Sequence, residues 1–258
     1  MEEKNLKFDF SDKNVVITGA TKGIGRDIAL AFAEAGSNVG ITGRNETELA
    51  ELKSEITALG VNCLSSRSDL SDADDCLRMA GYFNSEFPKI DILINNAGIS
   101  FPELLTEMNV DHWNTTLNVN LRAPALITKV ISSGMIERKA GVIINISSNA
   151  CMAGIEEHAA YCASKFGLDG LTKVMAVEFG PFNIRVNAIA PTVVLTPMGV
   201  QVWGDPVKAD PVKAKIPMGR FINTNEVTSV ALFLASKEAA MIHGETLLID
   251  GGVNAKLY

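Results

Sequence analysis

Apolar residues along this chain fall into short runs that alternate with longer stretches of mixed apolar and polar positions. Seven runs have the length and apolar content of buried strands, at residues 14–18, 38–42, 61–65, 90–95, 141–146, 184–190 and 246–250. The stretches between them favour helices, most clearly at residues 27–35, 46–59 and 159–179. This alternation predicts an α/β fold, in which a parallel sheet carries helices on both faces.

Several predicted strands end in small or polar residues. Thr18, Gly43, Asn95, Ser148 and Pro191 each stand at or just after such an end. Ligands of open parallel sheets bind outside the carboxyl ends of the strands. We therefore expect these five residues to line the functional site.

A glycine-rich turn joins the first predicted strand to the first predicted helix. Gly19, Gly23 and Gly25 have the spacing Gly-x-x-x-Gly-x-Gly, which differs from the Gly-x-Gly-x-x-Gly spacing of the general dinucleotide fingerprint. Glycine allows a phosphate to approach the backbone closely, and a helix N-terminus presents N–H groups to it. The flanking strand and helix favour a phosphate-binding loop over an ordinary turn.

Tyr161 and Lys165 lie four residues apart in a predicted helix, a spacing that places both side chains on one face. A phenol titrates near ~10 and is a weak proton donor at neutral pH. A neighbouring ammonium favours the phenolate, so we expect Lys165 to lower the pKa of Tyr161 and make it a general acid or base. Taken alone, the spacing also fits an exposed tyrosine and a solvated lysine.

Two further motifs follow predicted strands. Asn95-Asn96-Ala97-Gly98 ends the fourth strand, and Ser148 follows the fifth, thirteen residues before Tyr161. Each is an ordinary turn sequence when taken alone. Their positions nevertheless bring them to the same edge of the predicted sheet as the helix that carries Tyr161.

Taken together, these motifs resemble those of the short-chain dehydrogenase/reductase family, and the resemblance covers nearly the whole chain. The family's glycine motif matches residues 18–25, and its Asn-Asn-Ala-Gly motif matches residues 95–98. Its catalytic residues fall on Asn120, Ser148, Tyr161 and Lys165. The resemblance implies one domain over residues 1–258, built as a Rossmann-type, doubly wound, seven-stranded parallel sheet with helices on both faces. It also implies an oxidoreductase that interconverts a ketone and a secondary alcohol.

The resemblance implies roles for these residues. Tyr161 would exchange a proton with the substrate oxygen, and Ser148 would hydrogen-bond that oxygen. Lys165 would bind the nicotinamide ribose, Asn120 would hold a water that links Lys165 to solvent, and Asp69 would contact the adenine. The residues expected at the cofactor are Gly19, Thr21, Lys22, Gly23, Ile24, Gly25, Gly43, Arg44, Asp69, Leu70, Asn96, Ala97, Gly98, Tyr161, Lys165, Pro191, Val194 and Thr196.

Charge near the second strand indicates which cofactor is used. Sites that prefer NAD place a carboxylate about 20 residues after the glycines, where it binds the ribose 2′-hydroxyl. Here Gly43 is followed by Arg44, and Lys22 lies within the glycine loop. Two cations favour a 2′-phosphate, so we predict NADP(H). The alternative is that both cations are solvated surface residues.

Residues 191–217 contain several prolines and a tryptophan, and we interpret them as a substrate loop or lid. They resemble the substrate loop of L-xylulose (dicarbonyl) reductases, although Thr192 stands where the family more often has glycine. Ser148, Asn149, His158 and Trp203 are the expected substrate contacts. A ketose or other polyhydroxy ketone, or a dicarbonyl, is therefore the expected substrate.

Two other functions remain open at this point. A 3-oxoacyl-carrier-protein reductase would share every catalytic motif and would present a basic patch to its acidic carrier, for which Lys208, Lys213, Lys215 and Arg220 are candidates. A cofactor-binding regulator without turnover is the second alternative, against which the complete set of catalytic residues argues.

Composition narrows the remaining classes. The net charge of −7 argues against non-specific nucleic-acid binding. The four cysteines show no metal-binding spacing, so we expect no metal and a reducing, cytoplasmic location. The chain has no predicted signal peptide or membrane span. The family resemblance implies a homotetramer that pairs the helix of Tyr161 and the C-terminal strand.

Overall fold

The computed structural model describes residues 8–196, 199–200 and 203–255. Seven parallel strands form one sheet in the order β3-β2-β1-β4-β5-β6-β7. The strands are β1 (Asn14–Ile17), β2 (Asn38–Gly43), β3 (Cys63–Arg67), β4 (Ile92–Asn95), β5 (Gly141–Ile146), β6 (Ile184–Pro191) and β7 (Thr246–Ile249). The predicted parallel, doubly wound sheet is confirmed.

Eight helices of the described residues surround the sheet. They are α1 (Gly23–Glu34), α2 (Glu46–Ala58), α3 (Ala73–Glu86), α4 (Val110–Leu117), α5 (Ala123–Arg138), α6 (Ala159–Phe179), α7 (Pro206–Lys213) and α8 (Thr224–Ala235). A π-helical turn, Asn118–Arg122, joins α4 to α5. The helix predicted at residues 159–179 has the bounds of α6, whereas α1 begins earlier than predicted, directly within the glycine loop.

The sheet separates two apolar cores. Val15 and Ile17 pack with α1, α2 and α8 on one face, whereas Val16 packs with α3, α5 and α6 on the other. Strands covered on both faces are apolar at most positions, which is why they appear in the sequence as nearly continuous apolar runs. Strand β3 lies at the edge of the sheet and extends past its predicted end into polar residues, because its pairing with β2 continues to Gly43↔Arg67.

The starts and ends of the helices follow local capping chemistry. Asn45 caps α2 by accepting hydrogen bonds from the Thr47 and Glu48 backbone N–H groups, which confirms the predicted start of that helix. Gly36 follows α1 with φ of +90°, a left-handed conformation that ends the helix.

A buried polar ladder fixes α6 against the sheet. Asn95 of β4 donates to Asn145 of β5 (2.9 Å), and Asn145 donates to the Thr172 hydroxyl of α6 (2.8 Å). Asn145 and Thr172 are fully buried, so each depends on these partners. The ladder therefore sets the position of the helix that carries Tyr161. Within the described part of the chain, no helix is long and apolar enough to span a membrane.

Candidate active site

The glycine loop approaches the end of β4 so closely that side chains would not fit. A Cβ on Gly19, whose φ is +62°, would lie 2.9 Å from the Ala97 Cα. A Cβ on Gly25 would lie 2.3 Å from the Asn96 Nδ2. Asn96 holds the loop in place by donating to the Thr18 and Gly19 carbonyls (2.9 and 3.0 Å). The two motifs identified in the sequence thus form one structure.

The N-terminus of α1 faces this loop. No side chain among the described residues caps it, and its N-cap residue Lys22 has extended backbone angles. A Cβ on Gly23 would lie 2.9 Å from Thr196 Cγ2, and one on Gly43 would lie 2.6 Å from Thr21 Cγ2. The loop, the end of β2 and the segment after β6 therefore converge, and together they fit the phosphates of a dinucleotide. Ile24, the second residue of α1, packs against the apolar core between α1 and the sheet.

The arrangement of charged residues at the carboxyl end of β2 differs from the one predicted from the sequence. Lys22 pairs with Glu48 of α2 (Nζ–Oε1 2.7 Å), and this interaction lowers the pKa of Glu48. Arg67, which the sequence analysis did not identify, donates from Nε to the Arg44 carbonyl (3.2 Å). Its only sequence signal was its position after a strand, and strand pairing places it beside Gly43.

Lys165 is almost fully buried and donates from Nζ to the Ile146 carbonyl at the end of β5 (2.9 Å). Its Nζ lies 5.5 Å from the centroid of the Tyr161 ring. Burial lowers the pKa of Lys165 to about 8. The predicted pairing of these two residues on one face of a helix is present in the structure.

The expected effect of Lys165 on Tyr161 is wrong for the protein chain by itself. Burial raises the pKa of Tyr161, and the interaction with the Ser148 hydroxyl only partly opposes that rise. The physical reason is that desolvation disfavours the phenolate by more than the neighbouring Ser148 hydroxyl favours it. Tyr161 is therefore a neutral phenol in this state and carries the proton that it would donate, although its raised pKa makes it a weaker acid.

Ser148 lies at the carboxyl end of β5 and caps the short turn that follows. Its Oγ accepts a hydrogen bond from the Ala150 backbone N–H (3.2 Å) and donates to Asn149 Oδ1 (3.3 Å). Asn149 in turn donates from Nδ2 to the Thr192 hydroxyl (3.2 Å). The candidate substrate residue Asn149 thus lies beside the catalytic candidate Ser148.

Asn120 is fully buried in the π-helical turn. Its side chain accepts from the Ile99 N–H (2.8 Å) and donates to the Ile99 carbonyl (2.9 Å) and Ser164 Oγ (3.1 Å). The side chain is thus committed to joining the segment after Gly98 to α6. Binding of a relay water by Asn120 remains a prediction. The location of Asn120 is consistent with a functional role, because π-helical turns are frequent at functional sites.

The other predicted residues occupy the same edge or its rim. His158 precedes α6, with its ring edge-on to Tyr161 (centroids 6.1 Å apart) and Nδ1 against the Glu156 carbonyl (2.7 Å). Pro191 pairs with Ile249 at the end of β6, and Val194 pairs with Ile222.

Three further predictions receive less support from their surroundings. Trp203 packs against Phe221 in a small apolar core that also contains Ala209 and Ile216, so its contact with substrate remains a prediction. Asp69 accepts hydrogen bonds from the Ser71 N–H and hydroxyl (3.0 and 2.8 Å), next to the buried Leu70. Residues 197–198 and 201–202 of the predicted lid lie outside the described residues.

A doubly wound sheet, a glycine loop before an uncapped helix and a tyrosine beside a buried lysine at one edge define a nicotinamide-dependent oxidoreductase. Comparison with known proteins supports this assignment to the oxidoreductases. The family model described as enoyl-(acyl carrier protein) reductase matches residues 19–254. The chain belongs to the short-chain dehydrogenase/reductase family.

Individual relatives match along most of their length. The chain is 40% identical to L-xylulose reductase of Bos taurus, covering 93% of this chain and 96% of the relative. It is 37% identical to an NAD-dependent glycerol dehydrogenase of Listeria innocua, covering 96% of both chains. The structure of a putative NAD(P)-dependent gluconate 5-dehydrogenase from Beutenbergia cavernae, with bound NADP at low occupancy, superposes with a TM-score of 0.92 at 33% identity, covering 97% of this chain and all of that one.

The buried Lys165 predicts a specific pH dependence of stability. Its folded-state pKa of about 8 lies below the ordinary value of 10.5, so the unfolded chain binds more protons between these pH values. Stability contributed through this residue therefore rises with pH across that window, by up to about 3 kcal/mol. We expect the free energy of unfolding of wild type, minus that of Lys165→Met, to increase by this amount in denaturant titrations.

The difference between the two proteins cancels the titration of the other groups. Lys173→Met, at an exposed lysine of the same helix, provides the control and should show no such increase relative to wild type. An equal pH profile for wild type and Lys165→Met would show that Lys165 is not desolvated in the folded protein.

Proposed function

We propose that this protein is an NADP(H)-dependent oxidoreductase that interconverts a ketone and a secondary alcohol, with a ketose and polyol, or a dicarbonyl, as its substrates. The observation that carries the proposal is the half-buried Tyr161 next to the buried Lys165 and Ser148, at the same sheet edge as the glycine loop. Relatives named as a xylulose reductase and a glycerol dehydrogenase support a sugar or polyol substrate.

Three residues of the chain, Tyr161, Ser148 and Lys165, have different roles in the proposed reaction. When bound, the nicotinamide cofactor supplies or accepts the hydride. Tyr161 donates the proton of its neutral hydroxyl to the substrate oxygen during reduction and takes one back during oxidation. Ser148 hydrogen-bonds the same oxygen and stabilises its developing charge. The Lys165 ammonium favours the phenolate that forms as Tyr161 loses its proton.

Cofactor preference depends on the charges beside β2. Arg44 and Arg67 lie next to each other at the carboxyl ends of two paired strands, and Lys22 lies in the glycine loop. These cations suit the 2′-phosphate of NADP(H). Glu48 holds Lys22 in a short ion pair (2.7 Å), whereas Arg67 Nε lies 3.9 Å from Glu46 Oε1. We infer that the two arginines contribute most to phosphate binding and that Glu48 weakens it.

Two substitutions test the proposed cofactor site, one that removes a positive charge and one that removes a negative charge. Arg44→Gln is expected to weaken NADPH binding about tenfold, because it removes a charge-assisted hydrogen bond to the phosphate. Glu48→Gln is expected to tighten NADPH binding about two- to fivefold by releasing Lys22 from an exposed ion pair. Dissociation constants from the fluorescence of bound NADPH and NADH would measure both effects, and NADH should change little in either variant.

Matched controls separate local contacts from net charge. Lys53→Gln and Glu51→Gln make the same charge changes at exposed positions of α2 and should leave both dissociation constants unchanged. Tighter binding of NADH than NADPH by wild type would overturn the assignment to NADP(H), while leaving the catalytic residues unaffected.

The rival acyl-carrier-protein reductase is less well supported by the surface. It needs a basic patch beside the site, but Arg220 forms two hydrogen bonds with the Glu226 carboxylate (2.7 and 2.8 Å) and Lys213 pairs with Asp210 (3.3 Å). These pairs neutralise half of the four candidate cations. The description of the matching family model names an acyl-carrier-protein substrate, so this function remains the second candidate.

Assays with a small panel of carbonyl compounds test the proposed function directly. We expect wild type to reduce xylulose, fructose or diacetyl with NADPH, as followed by the NADPH absorbance, and not an acetoacetyl thioester. Tyr161→Phe should abolish turnover and retain NADPH binding, because only the proton donor is removed. Tyr82→Phe is the matched control and should keep full activity.

The panel also identifies the alternatives. Turnover of the thioester alone would assign the protein to the acyl-carrier-protein reductases. A wild type that binds NADPH, turns over none of these compounds and is unaffected by Tyr161→Phe would favour the cofactor-binding regulator.

We also propose a cytoplasmic homotetramer. On α6, Phe166, Val174 and Val177 present exposed apolar side chains on one face, and Leu248 of β7 is also exposed. Exposed apolar stripes of this kind mark interfaces between subunits. The four cysteines, Cys63, Cys76, Cys151 and Cys162, are free thiols, which supports a reducing compartment.

The assembly is tested by a charge placed on the stripe. Val177→Glu is expected to lower the mass measured by light scattering from that of a tetramer to that of a smaller species, because it buries an unpaired charge. Val207→Glu, at an equally exposed valine of α7, should leave the mass unchanged. A wild-type protein that is monomeric at micromolar concentration would contradict the proposal.

A further inference from the structure

Arg122 contacts the turn that follows β3, at the adenine end of the proposed cofactor site. Its Nη2 donates to the Ser71 carbonyl (2.5 Å), although 51 residues separate the two along the chain. Its Nε is buried and has no hydrogen-bond partner among the described residues. A buried N–H without a partner is unfavourable, so the guanidinium is held against Ser71 at a cost in stability. A contact that is kept at such a cost calls for an explanation beyond packing.

Arg122 extends from a fixed point of the fold. It is the last residue of the π-helical turn between α4 and α5, in which Asn120 donates to Ser164 Oγ of α6 (3.1 Å). Residues two positions apart on a helix do not face one another. The turn therefore directs Asn120 towards α6 and Arg122 towards the segment before α3. Since the contacts of Asn120 hold the turn, they also hold the point from which Arg122 extends.

The residue that Arg122 contacts also fixes Asp69. Asp69 Oδ1 accepts hydrogen bonds from the Ser71 backbone N–H (3.0 Å) and from the Ser71 hydroxyl (2.8 Å). No donor of the described residues contacts Asp69 Oδ2, and Asp69 is exposed. Asp69 therefore presents one oriented carboxylate oxygen to a ligand.

The chemistry of a carboxylate decides which group of the cofactor it binds. Under the proposed binding of NADP(H), on which this inference rests, Asp69 contacts the adenine. A carboxylate only accepts hydrogen bonds, and the exocyclic amine is the donor that an adenine ring presents. Asp69 Oδ2 is thus suited to accept from this amine.

We propose that Arg122 is a positioning residue that selects adenine as the base of the cofactor, by holding the turn of Asp69 and Ser71 so that Asp69 Oδ2 accepts from the adenine amine. Arg122 touches Ser71 and acts on the cofactor through Asp69. A site built to bind an amine discriminates against an analogue that lacks it.

The test compares NADPH with its deaminated analogue, in which hypoxanthine replaces adenine and a carbonyl replaces the exocyclic amine. Both carry the same reduced nicotinamide and 2′-phosphate, so the ratio of their dissociation constants isolates the base. Wild type is expected to bind NADPH about tenfold more tightly, the effect of one hydrogen bond to a charged group. Arg122→Met should reduce this preference about three- to fivefold, as measured by the fluorescence of the bound nicotinamide.

The controls separate this role from a general loss of stability. Arg138→Met is matched, because Arg138 Nη2 also donates to a backbone carbonyl, that of Ile90 (2.7 Å), at the opposite end of α5. It should leave the preference for NADPH unchanged. Arg122→Lys keeps the charge without the directed N–H group, and should show a smaller decrease of the same kind. Thermal midpoints show whether each variant is folded.

A second substitution shows whether Arg122 acts through Asp69. Asp69→Asn presents an amide donor to the base and should lower the preference for NADPH. Adding Arg122→Met to Asp69→Asn should then cause no further change in preference, and a further change would overturn the inference.

Two other results would also overturn the inference and leave the proposed function in place. One is an equal loss of affinity for both cofactors in the Arg122 variants, and the other is a wild type that binds both cofactors equally. A wild type that binds neither reduced cofactor would instead overturn the proposed function.

Discussion

The hydrogen bond between the buried Lys165 ammonium and the Ile146 carbonyl is the interaction on which the site depends most. It joins α6 to the end of β5, and so brings Tyr161 and Ser148 together at one edge of the sheet. A buried ammonium without a partner is strongly disfavoured, so the carbonyl restricts where this lysine can lie. The Asn95–Asn145–Thr172 ladder supports the same helix from within the core. The catalytic geometry is therefore maintained by polar contacts inside the protein.

The site also requires the glycine loop to approach the backbone after β4 closely. Gly19 and Gly25 lie against Ala97 and Asn96 at distances that exclude a Cβ. The hydrogen bonds of Asn96 then keep the loop open towards the N-terminus of α1. The residues proposed for cofactor binding and for catalysis share this edge because the strands that carry both sets are parallel and end together.

Charge near the adenosine end depends on pairing as much as on residue type. Lys22 is a cation in the sequence, but Glu48 binds it in the structure. Arg67 enters the same region because β3 pairs with β2. The proposed affinity for a 2′-phosphate is a balance between these arginines and the Glu48 carboxylate.

The sequence by itself determined the sheet, the glycine loop and the Tyr161–Lys165 pair, because each depends on residues close together along the chain. Apolar runs predict buried strands, and a spacing of four places two side chains on one face of a helix. Only the tertiary structure revealed the Glu48 partner of Lys22, the Asn149–Thr192 contact, the π-helical turn of Asn120 and the raised pKa of Tyr161. These features arise from burial and from contacts between residues distant along the chain, which a local pattern does not contain.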